Sequence, residues 1–225
     1  MIKNFFSTND TYKEMISHYT KVDGILAITI YVFSMIIFCF TGVLFIRNKI
    51  YLGTPISLLL IVVCMILVLV RKQKLASIGF TLKYIGKALV TGTVLGILFS
   101  FFMHILPNIL EGSKIIPLNK AIYNIFYYFI IISLSEEVIF RGYIQTRLYG
   151  FIKNDNLAVL VAGIMFYAMH LPFQMPVNGM QINLFNMAFM VFLHFVMNSL
   201  YRKYNNLTGA IVFHGLLNWC SNLFR

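Results

Sequence analysis

The sequence contains few charged residues: Asp, Glu, Lys and Arg make up 11% of its 225 residues, whereas 60% are apolar. A soluble globular domain has roughly 25% charged residues, because its surface has to be covered with polar groups. This shortage of charge, together with a mean hydropathy of +0.82, excludes a soluble domain. With 14 Gly and 5 Pro, the chain is neither collagenous nor disordered. Among the broad classes of protein, these exclusions leave a helical membrane protein.

Cysteine and acidic residues are also scarce. Cys39, Cys64 and Cys220 are odd in number, lie in apolar segments where we expect buried thiols, and form no CxxC pair; a disulfide framework and a structural zinc knuckle are therefore excluded. Only 7 acidic residues oppose 18 Lys and Arg, which gives a net charge of +11. These basic residues cluster at the ends of apolar segments, where they contact lipid headgroups. We therefore expect a lipid bilayer, and no nucleic acid, as the partner.

Long uncharged segments predict an all-α fold, a transmembrane helical bundle of about seven spans (six to eight) around a polar cavity. About 20 apolar residues in a helix cross the ~30 Å of hydrocarbon. The predicted spans are 24–46, 52–70, 88–106, a long helix from about 119, two spans within 156–201 joined by a turn at 172–179, and 207–224. The prolines and glycine predict that turn. The basic segment 77–87 is expected along the membrane interface.

The chain divides into a polar N-terminal segment, 1–23, and a single membrane domain, 24–225. Five basic residues separate the second and third predicted spans, which indicates a cytoplasmic loop: Arg71, Lys72, Lys74, Lys83 and Lys87. Basic loops remain in the cytoplasm. The expected topology is therefore a multi-pass protein of the cell membrane with a cytoplasmic N-terminus.

Three ionisable residues lie together in the fourth predicted helix. Such groups cost several kcal/mol inside a bilayer unless they are paired or hydrated, so they mark candidate functional positions. Glu137 and Arg141 are four residues apart and can pair on one helix face, whereas Glu136 points about 100° away and remains available as a base. A purely structural ion network that braces the bundle is the alternative, above all for Glu137 and Arg141.

Two further predicted spans carry histidines at a similar depth. His170 ends the segment GIMFYAMH, and His214 lies four residues before Asn218 on one helix face. At 1.5 Å per residue, Glu136, His170 and His214 lie roughly 10–20 Å from the same membrane edge, which favours a shared site. His194 and Asn198 repeat the same spacing and compete for this interpretation. No role is assigned to His18 or His104.

These residues form three motifs in a fixed order. Glu136 to Arg141 reads EExxxR, Phe166 to His170 reads FxxxH, and His214 to Asn218 reads HxxxN. In this order the motifs resemble the CPBP family (CAAX proteases and bacteriocin-processing enzymes), which includes the type II CAAX prenyl endopeptidases. The resemblance covers Tyr123–Asn218, and we expect the catalytic core at about 119–224.

The resemblance implies a role for each motif residue. Glu136 is implied to be the catalytic carboxylate and His170 its partner in activating water. His214 and Asn218 are implied to stabilise the oxyanion or complete the site, and Glu137 and Arg141 to form a supporting ion pair.

The cofactor is open, because the family is described both as metalloproteases and as metal-independent glutamate-type proteases. If zinc is bound, Glu136, His170 and His214 are its expected ligands. We slightly favour no metal, because the sequence around the two histidines offers few acceptors that would fix their rings.

The leading hypothesis is thus an intramembrane endopeptidase. Its expected substrates are short or membrane-tethered peptides, such as a pheromone or bacteriocin precursor, or a CAAX-like prenylated C-terminus. A non-enzymatic immunity or scaffold protein is the alternative from another class. A transporter is a third, against which the absence of an inverted repeat counts. The oligomeric state is left open.

Overall fold

The structure, a computed structural model, describes residues 7–225 and consists of helices joined by short connections. A short helix α1 (Asp10–Ser17) precedes six helices that are long and apolar enough to cross a membrane: α2 (Lys21–Asn48), α3 (Gly53–Val70), α4 (Ile85–Leu110), α5 (Leu118–Leu148), α6 (Asp155–Asn178) and α7 (Leu184–Tyr204). Helix α8 (Thr208–Ser221) follows. Within residues 7–225, β-pairing is limited to one isolated bridge, between Ile115 and Phe224. The prediction of a polytopic helical bundle with six to eight spans is confirmed, and residues 1–6 of the predicted polar segment lie outside the described residues.

The last predicted span is shorter than expected. Helix α8 has 14 residues, so it extends for about 21 Å and does not cross ~30 Å of hydrocarbon by itself.

Two of the three cysteines, Cys64 and Cys220, are buried as expected, but Cys39 is exposed on α2. The basic segment 77–87 is largely irregular: a 3₁₀ turn (Leu75–Ile78) precedes the start of α4.

The predicted turn at 172–179 is wrong, because α6 continues through Pro172 and Pro176 to Asn178. A proline lacks the N–H that would bond four residues back, and this frees a carbonyl in the preceding turn. The freed carbonyl of Pro172 faces α2 at Gly42, where an added Cβ would lie 3.3 Å from it. Membrane helices tolerate proline when a neighbouring helix packs against the opened turn. The actual turn between α6 and α7 starts at Gly179, whose φ of 66° lies in the left-handed region.

Helix α5 is the central helix of the bundle. Its N-terminal half is largely exposed, whereas every residue from Glu137 to Gly150 is buried. Two stretches of the helix, Tyr127–Ser133 and Glu137–Gln145, are wound as π-helix. Such wider turns are rare and are found mostly at functional sites. Glu136 lies in the short α-helical segment between them.

A buried arginine anchors the C-terminal end of α5. Arg147 is 1% exposed, and its guanidinium donates to the carbonyl of Ser77 at 2.9 Å and to the side chain of Gln73 at 2.6 Å. The rings of Tyr19 and Tyr143 lie 4.7 Å from the guanidinium carbon. These contacts connect α5 to the α3–α4 connection and to the segment before α2, which fixes the position of α5 along the bundle.

Close packing through glycine positions α8 against α4. A Cβ added at Gly209 would lie 2.8 Å from the backbone oxygen of Ala88. Small residues allow membrane helices to approach this closely, which increases the van der Waals contact between their backbones. Because α8 carries His214 and Asn218, this contact fixes the position of the HxxxN motif relative to α4.

Candidate active site

One cavity of about 530 Å³ contains the predicted site residues Glu136, His170, His214 and Asn218. They come from three helices: α5, α6 and α8. Most other lining residues are aromatic or aliphatic, among them Tyr51, Tyr127, Tyr128, Met103, Phe173, Phe189 and Leu193. The described lining contains no lysine or arginine, and Glu136 is its one carboxylate. The structure thus combines a small polar centre with apolar walls, as ligand-binding cavities commonly do.

Both histidines point a ring nitrogen at the same carboxylate oxygen. The Nε2 atom of His170 lies 3.9 Å from Oε2 of Glu136, and the Nε2 atom of His214 lies 3.8 Å from it. These distances exceed a direct hydrogen bond but suit groups that share one bridging molecule. The side chain of Glu136 is 27% exposed and that of His170 is 28% exposed, so the cavity reaches both.

The partners of the two Nδ1 atoms set the protonation of the rings. Nδ1 of His170 lies 2.8 Å from the carbonyl oxygen of Phe166, which can only accept. Nδ1 of His214 lies 2.8 Å from Oε1 of Glu137, and an ionised carboxylate also only accepts. Both Nδ1 atoms therefore carry a proton, and in the neutral rings Nε2 presents a lone pair toward Glu136. The two Nε2 atoms and Oε2 of Glu136 are then three hydrogen-bond acceptors that face one another. A hydrogen-bond donor between them, such as a water molecule, would satisfy all three.

Glu137 connects the ion pair to the site. Its side chain is fully buried and forms a salt bridge with Arg141 in addition to its hydrogen bond with His214. Pairing between Glu137 and Arg141 was expected from their spacing, but the bond to His214 was not, because it joins two residues 77 positions apart on different helices. Arg141 neutralises the charge of Glu137, so Glu137 remains ionised in an apolar environment. Glu137 thus fixes the ring of His214 as well as pairing with Arg141.

The ring of Phe166 lies near both histidines. Its centroid lies 5.0 Å from that of His170 and 6.3 Å from that of His214. The guanidinium carbon of Arg141 lies 5.1 Å from the same ring, in a cation–π contact. Phe166 is 4% exposed, so its ring holds the two imidazoles and the supporting cation at fixed separations.

The structure places two other histidines relative to the cavity. His194, the competitor for the site, is fully buried beside Phe166 at 6.0 Å between ring centroids and does not line the cavity. His104, to which the sequence assigned nothing, does line it. It belongs to a π-helical stretch of α4 (Phe101–Ile105), and neither a charged neighbour nor a motif marks it in the sequence.

The three expected zinc ligands do not fit a metal ion in this arrangement. A tetrahedral zinc ion with bonds of about 2.0–2.1 Å brings neighbouring ligand atoms to about 3.3 Å from each other, whereas both nitrogens lie at least 3.8 Å from Glu136. Across residues 7–225, no three His, Cys, Asp or Glu side chains form a group that could hold a metal. The Nδ1 acceptors that a ligand histidine needs are present, however, in Phe166 and Glu137.

Fold and site together define a multi-pass helical membrane protein with a Glu–His–His–Asn centre inside its bundle. Comparison with known proteins adds the family: residues 118–220 match the family model described as type II CAAX prenyl endopeptidase Rce1-like. This match confirms the resemblance to the CPBP family: the matched segment is similar to the type II CAAX prenyl endopeptidases of the Rce1-like family. The comparisons with curated proteins and with solved structures gave no match.

Proposed function

We propose that this protein hydrolyses peptide bonds inside the membrane with a water molecule activated by Glu136 and His170. The observation that carries the proposal is the convergence of both Nε2 atoms on Oε2 of Glu136 in a cavity with apolar walls. The buried Glu137–Arg141 pair is compatible with a scaffold protein as well as with an enzyme. A scaffold protein would have no use for a second, unpaired carboxylate that opens into a cavity, because such a group costs free energy in a membrane.

The proposed reaction begins with a water molecule between Glu136 and His170. The water donates one hydrogen bond to Oε2 of Glu136 and the other to Nε2 of His170, which leaves its lone pair free for attack. As the water oxygen bonds to the carbonyl carbon, one proton moves to Glu136. The tetrahedral intermediate then collapses: the C–N bond breaks, and Glu136 returns the proton to the leaving nitrogen. Water and a peptide thus give a carboxylic acid and an amine.

His214 and Asn218 would stabilise the oxyanion. The Asn218 amide is a hydrogen-bond donor on the cavity wall, and donors directed at the developing charge are worth several kcal/mol in such sites. When His214 also carries a proton on Nε2, the carboxylate of Glu137 offsets the charge of the imidazolium at Nδ1. His214 can then donate to the oxyanion. Glu137 acts here as a positioning residue.

The cavity walls favour an apolar substrate segment. Tyr51, Tyr127, Phe173 and Met190 surround the polar centre, and such side chains suit an extended apolar peptide or an attached lipid chain. We propose membrane-tethered or short peptides of the pheromone or bacteriocin-precursor kind as substrates, with a CAAX-like prenylated peptide as the alternative.

The orientation in the membrane follows from the distribution of charge. Hydrogen bonds join four segments at one end of the bundle: Asn9 to Arg202, Tyr19 to Ser77, Lys153 to Tyr19, and Leu207 to Gly79. This basic end carries Lys13, Lys21, Arg71, Lys72, Lys74, Lys83, Lys87, Arg147, Lys153, Arg202 and Lys203, whereas the opposite end carries Arg47, Lys49, Lys114, Lys120 and Arg225. We propose that the basic end faces the cytoplasm of the cell membrane.

The test of function uses the purified full chain in lipid vesicles and a panel of internally quenched peptides, each made with and without a C-terminal prenyl group. Glu136→Gln should abolish cleavage, because it removes the base and keeps the shape of the side chain. Glu111→Gln is the matched control, since Glu111 is exposed at the end of α4. Cleavage by wild type that Glu136→Gln leaves intact would overturn the assignment of the base.

A further inference from the structure

A second cavity, of about 430 Å³, lies at the basic end of the bundle, away from the candidate active site. Three parts of the chain form its walls: the segment before and within α1, the start of α4, and the end of α7. The lining residues are Ser7, Thr8, Asn9, Asp10, Thr11, Lys83, Tyr84, Lys87, Lys203 and Tyr204. We call it the lysine pocket, because Lys83, Lys87 and Lys203 supply its charge.

The walls of the lysine pocket are held in place by hydrogen bonds between the three segments. The backbone N–H of Asn9 donates to the carbonyl of Arg202 at 2.9 Å, and a guanidinium nitrogen of Arg202 donates to the hydroxyl of Thr8 at 2.7 Å. The hydroxyls of Thr91 and Tyr204 are 2.8 Å apart and join α4 to α7. The pocket is therefore a preformed feature and does not depend on the surface lysines alone.

The charges in the lysine pocket are strongly unbalanced. Its one carboxylate among the described lining residues is Asp10, and that carboxylate pairs with Lys13 at 3.0 Å. One aromatic ring lies close to two of the ammonium groups: Nζ of Lys83 is 5.2 Å and Nζ of Lys87 is 6.0 Å from the ring centroid of Tyr84. Thr8, Asn9 and Thr11 complete the lining; the amide of Asn9 already donates to the carbonyl of Lys203, and the hydroxyl of Thr11 donates to Oδ1 of Asn9. Clustered lysines suit a phosphate group.

The position of the pocket indicates where such a phosphate would come from. The pocket lies where α4 begins and α7 ends, which is the level of the lipid headgroups for two membrane-spanning helices. Next to its lysines, Leu82 is 85% exposed and Ile85 is 42% exposed, so apolar side chains face the lipid directly beside the charges. Basic pockets between membrane helices bind anionic lipid headgroups.

We propose that the lysine pocket binds the headgroup phosphate of an anionic phospholipid. The lysines hold the phosphate, and the exposed apolar residues at the start of α4 contact the acyl chains. Because α1 contributes one wall, the bound lipid stabilises the contact of the N-terminal segment with α7. This inference does not depend on the proposed peptidase activity.

The test is native mass spectrometry of the purified full chain, titrated with dioleoyl phosphatidylglycerol or with dioleoyl phosphatidylcholine. The pocket variant combines Lys83→Gln, Lys87→Gln and Lys203→Gln, and its charge-matched control combines Lys72→Gln, Lys114→Gln and Lys120→Gln. Affinity for the first phosphatidylglycerol should fall at least tenfold in the pocket variant and less than twofold in the control. Replacing the same three pocket lysines by Arg should preserve binding.

A second measurement on the wild type does not rely on the variants being folded. Phosphatidylglycerol in the micelle should slow the acetylation of Lys83 and Lys87 relative to Lys72, whereas the same concentration of inorganic phosphate should not. An unchanged affinity of the pocket variant, or an equal loss in the control, would overturn the proposal. Equal protection by inorganic phosphate would overturn a lipid ligand in favour of a soluble phosphate.

Discussion

The substitution Glu137→Gln tests whether Glu137 only balances the charge of Arg141 or also orients the ring of His214. The substitution leaves Arg141 fully buried without a carboxylate partner. Breaking a buried ion pair in this way costs about 3–5 kcal/mol, which corresponds to a drop of roughly 6–20 °C in the unfolding midpoint of a chain of this size. Trp219, the single tryptophan, bonds to the carbonyl of Ala121 at 3.0 Å, and its fluorescence can follow unfolding.

The same substitution should also lower turnover. A glutamine amide can donate to Nδ1 of His214 instead of accepting from it, and it carries no charge to offset an imidazolium. An equivalent carboxylate-to-amide change in serine proteases costs up to about 10⁴-fold in kcat through the wrong tautomer. We expect a loss of kcat of about 10²-fold or more for Glu137→Gln, with little change in KM.

The double variant Glu137→Gln/Arg141→Met decides between the two roles. Removing the unpaired cation should restore most of the unfolding midpoint, because replacing a whole buried ion pair by uncharged groups is often neutral for stability. Turnover should remain low, because His214 still lacks its carboxylate. If the double variant recovers both the midpoint and the full kcat, Glu137 serves only to neutralise Arg141, and the reasoning on His214 is refuted.

Three other predictions concern the metal, the aromatic ring and the helix contact. Treatment with 1,10-phenanthroline should leave peptide cleavage unchanged; stoichiometric zinc in active protein, lost on His170→Ala, would contradict this. Phe166→Leu should lower the free energy of unfolding by about 1–3 kcal/mol and kcat by about tenfold, since both imidazoles lose their contact with the ring; thermal unfolding and turnover are the measurements. Gly209→Val should reduce kcat strongly by pushing α8 away from α4, whereas Gly86→Ala, whose Cβ would meet nothing within 4 Å, should leave kcat unchanged. Wild-type cleavage rates in Gly209→Val would show that the spacing of these helices does not position His214.

The spans could be predicted from the sequence because hydrophobic length is a local property. Segment 52–70 matches α3 closely, since uncharged residues fill it and Arg71 follows it. The turn at 172–179 could not be predicted correctly, because local proline chemistry indicated a break. Helix α2 approaches the turn before Pro176 closely at Gly42, and this contact joins residues far apart in sequence.

The candidate site, like the fold, could be predicted only where its signal is local in the sequence. The i, i+4 spacing of Glu137 and Arg141 predicts their pairing, and the motif order indicated that Glu136, His170 and His214 would share a site. The acceptors that orient the two rings were not predicted, since one is a backbone carbonyl and the other is Glu137 on a different helix. His104 was also missed, because nothing in its local sequence indicates that this stretch of α4 lines the cavity.

The two adjacent glutamates have opposite surroundings, and this difference determines the charge of the site. Glu137 is fully buried, and its charge is balanced by Arg141. Glu136 opens into a cavity whose described lining contains no lysine or arginine. The groups that face Oε2 of Glu136 are the Nε2 atoms of His170 and His214, at 3.9 and 3.8 Å. A carboxylate that is open to a cavity and has two imidazoles beside it has the geometry that a general base requires. For this reason we propose Glu136 as the base and Glu137 as the supporting residue.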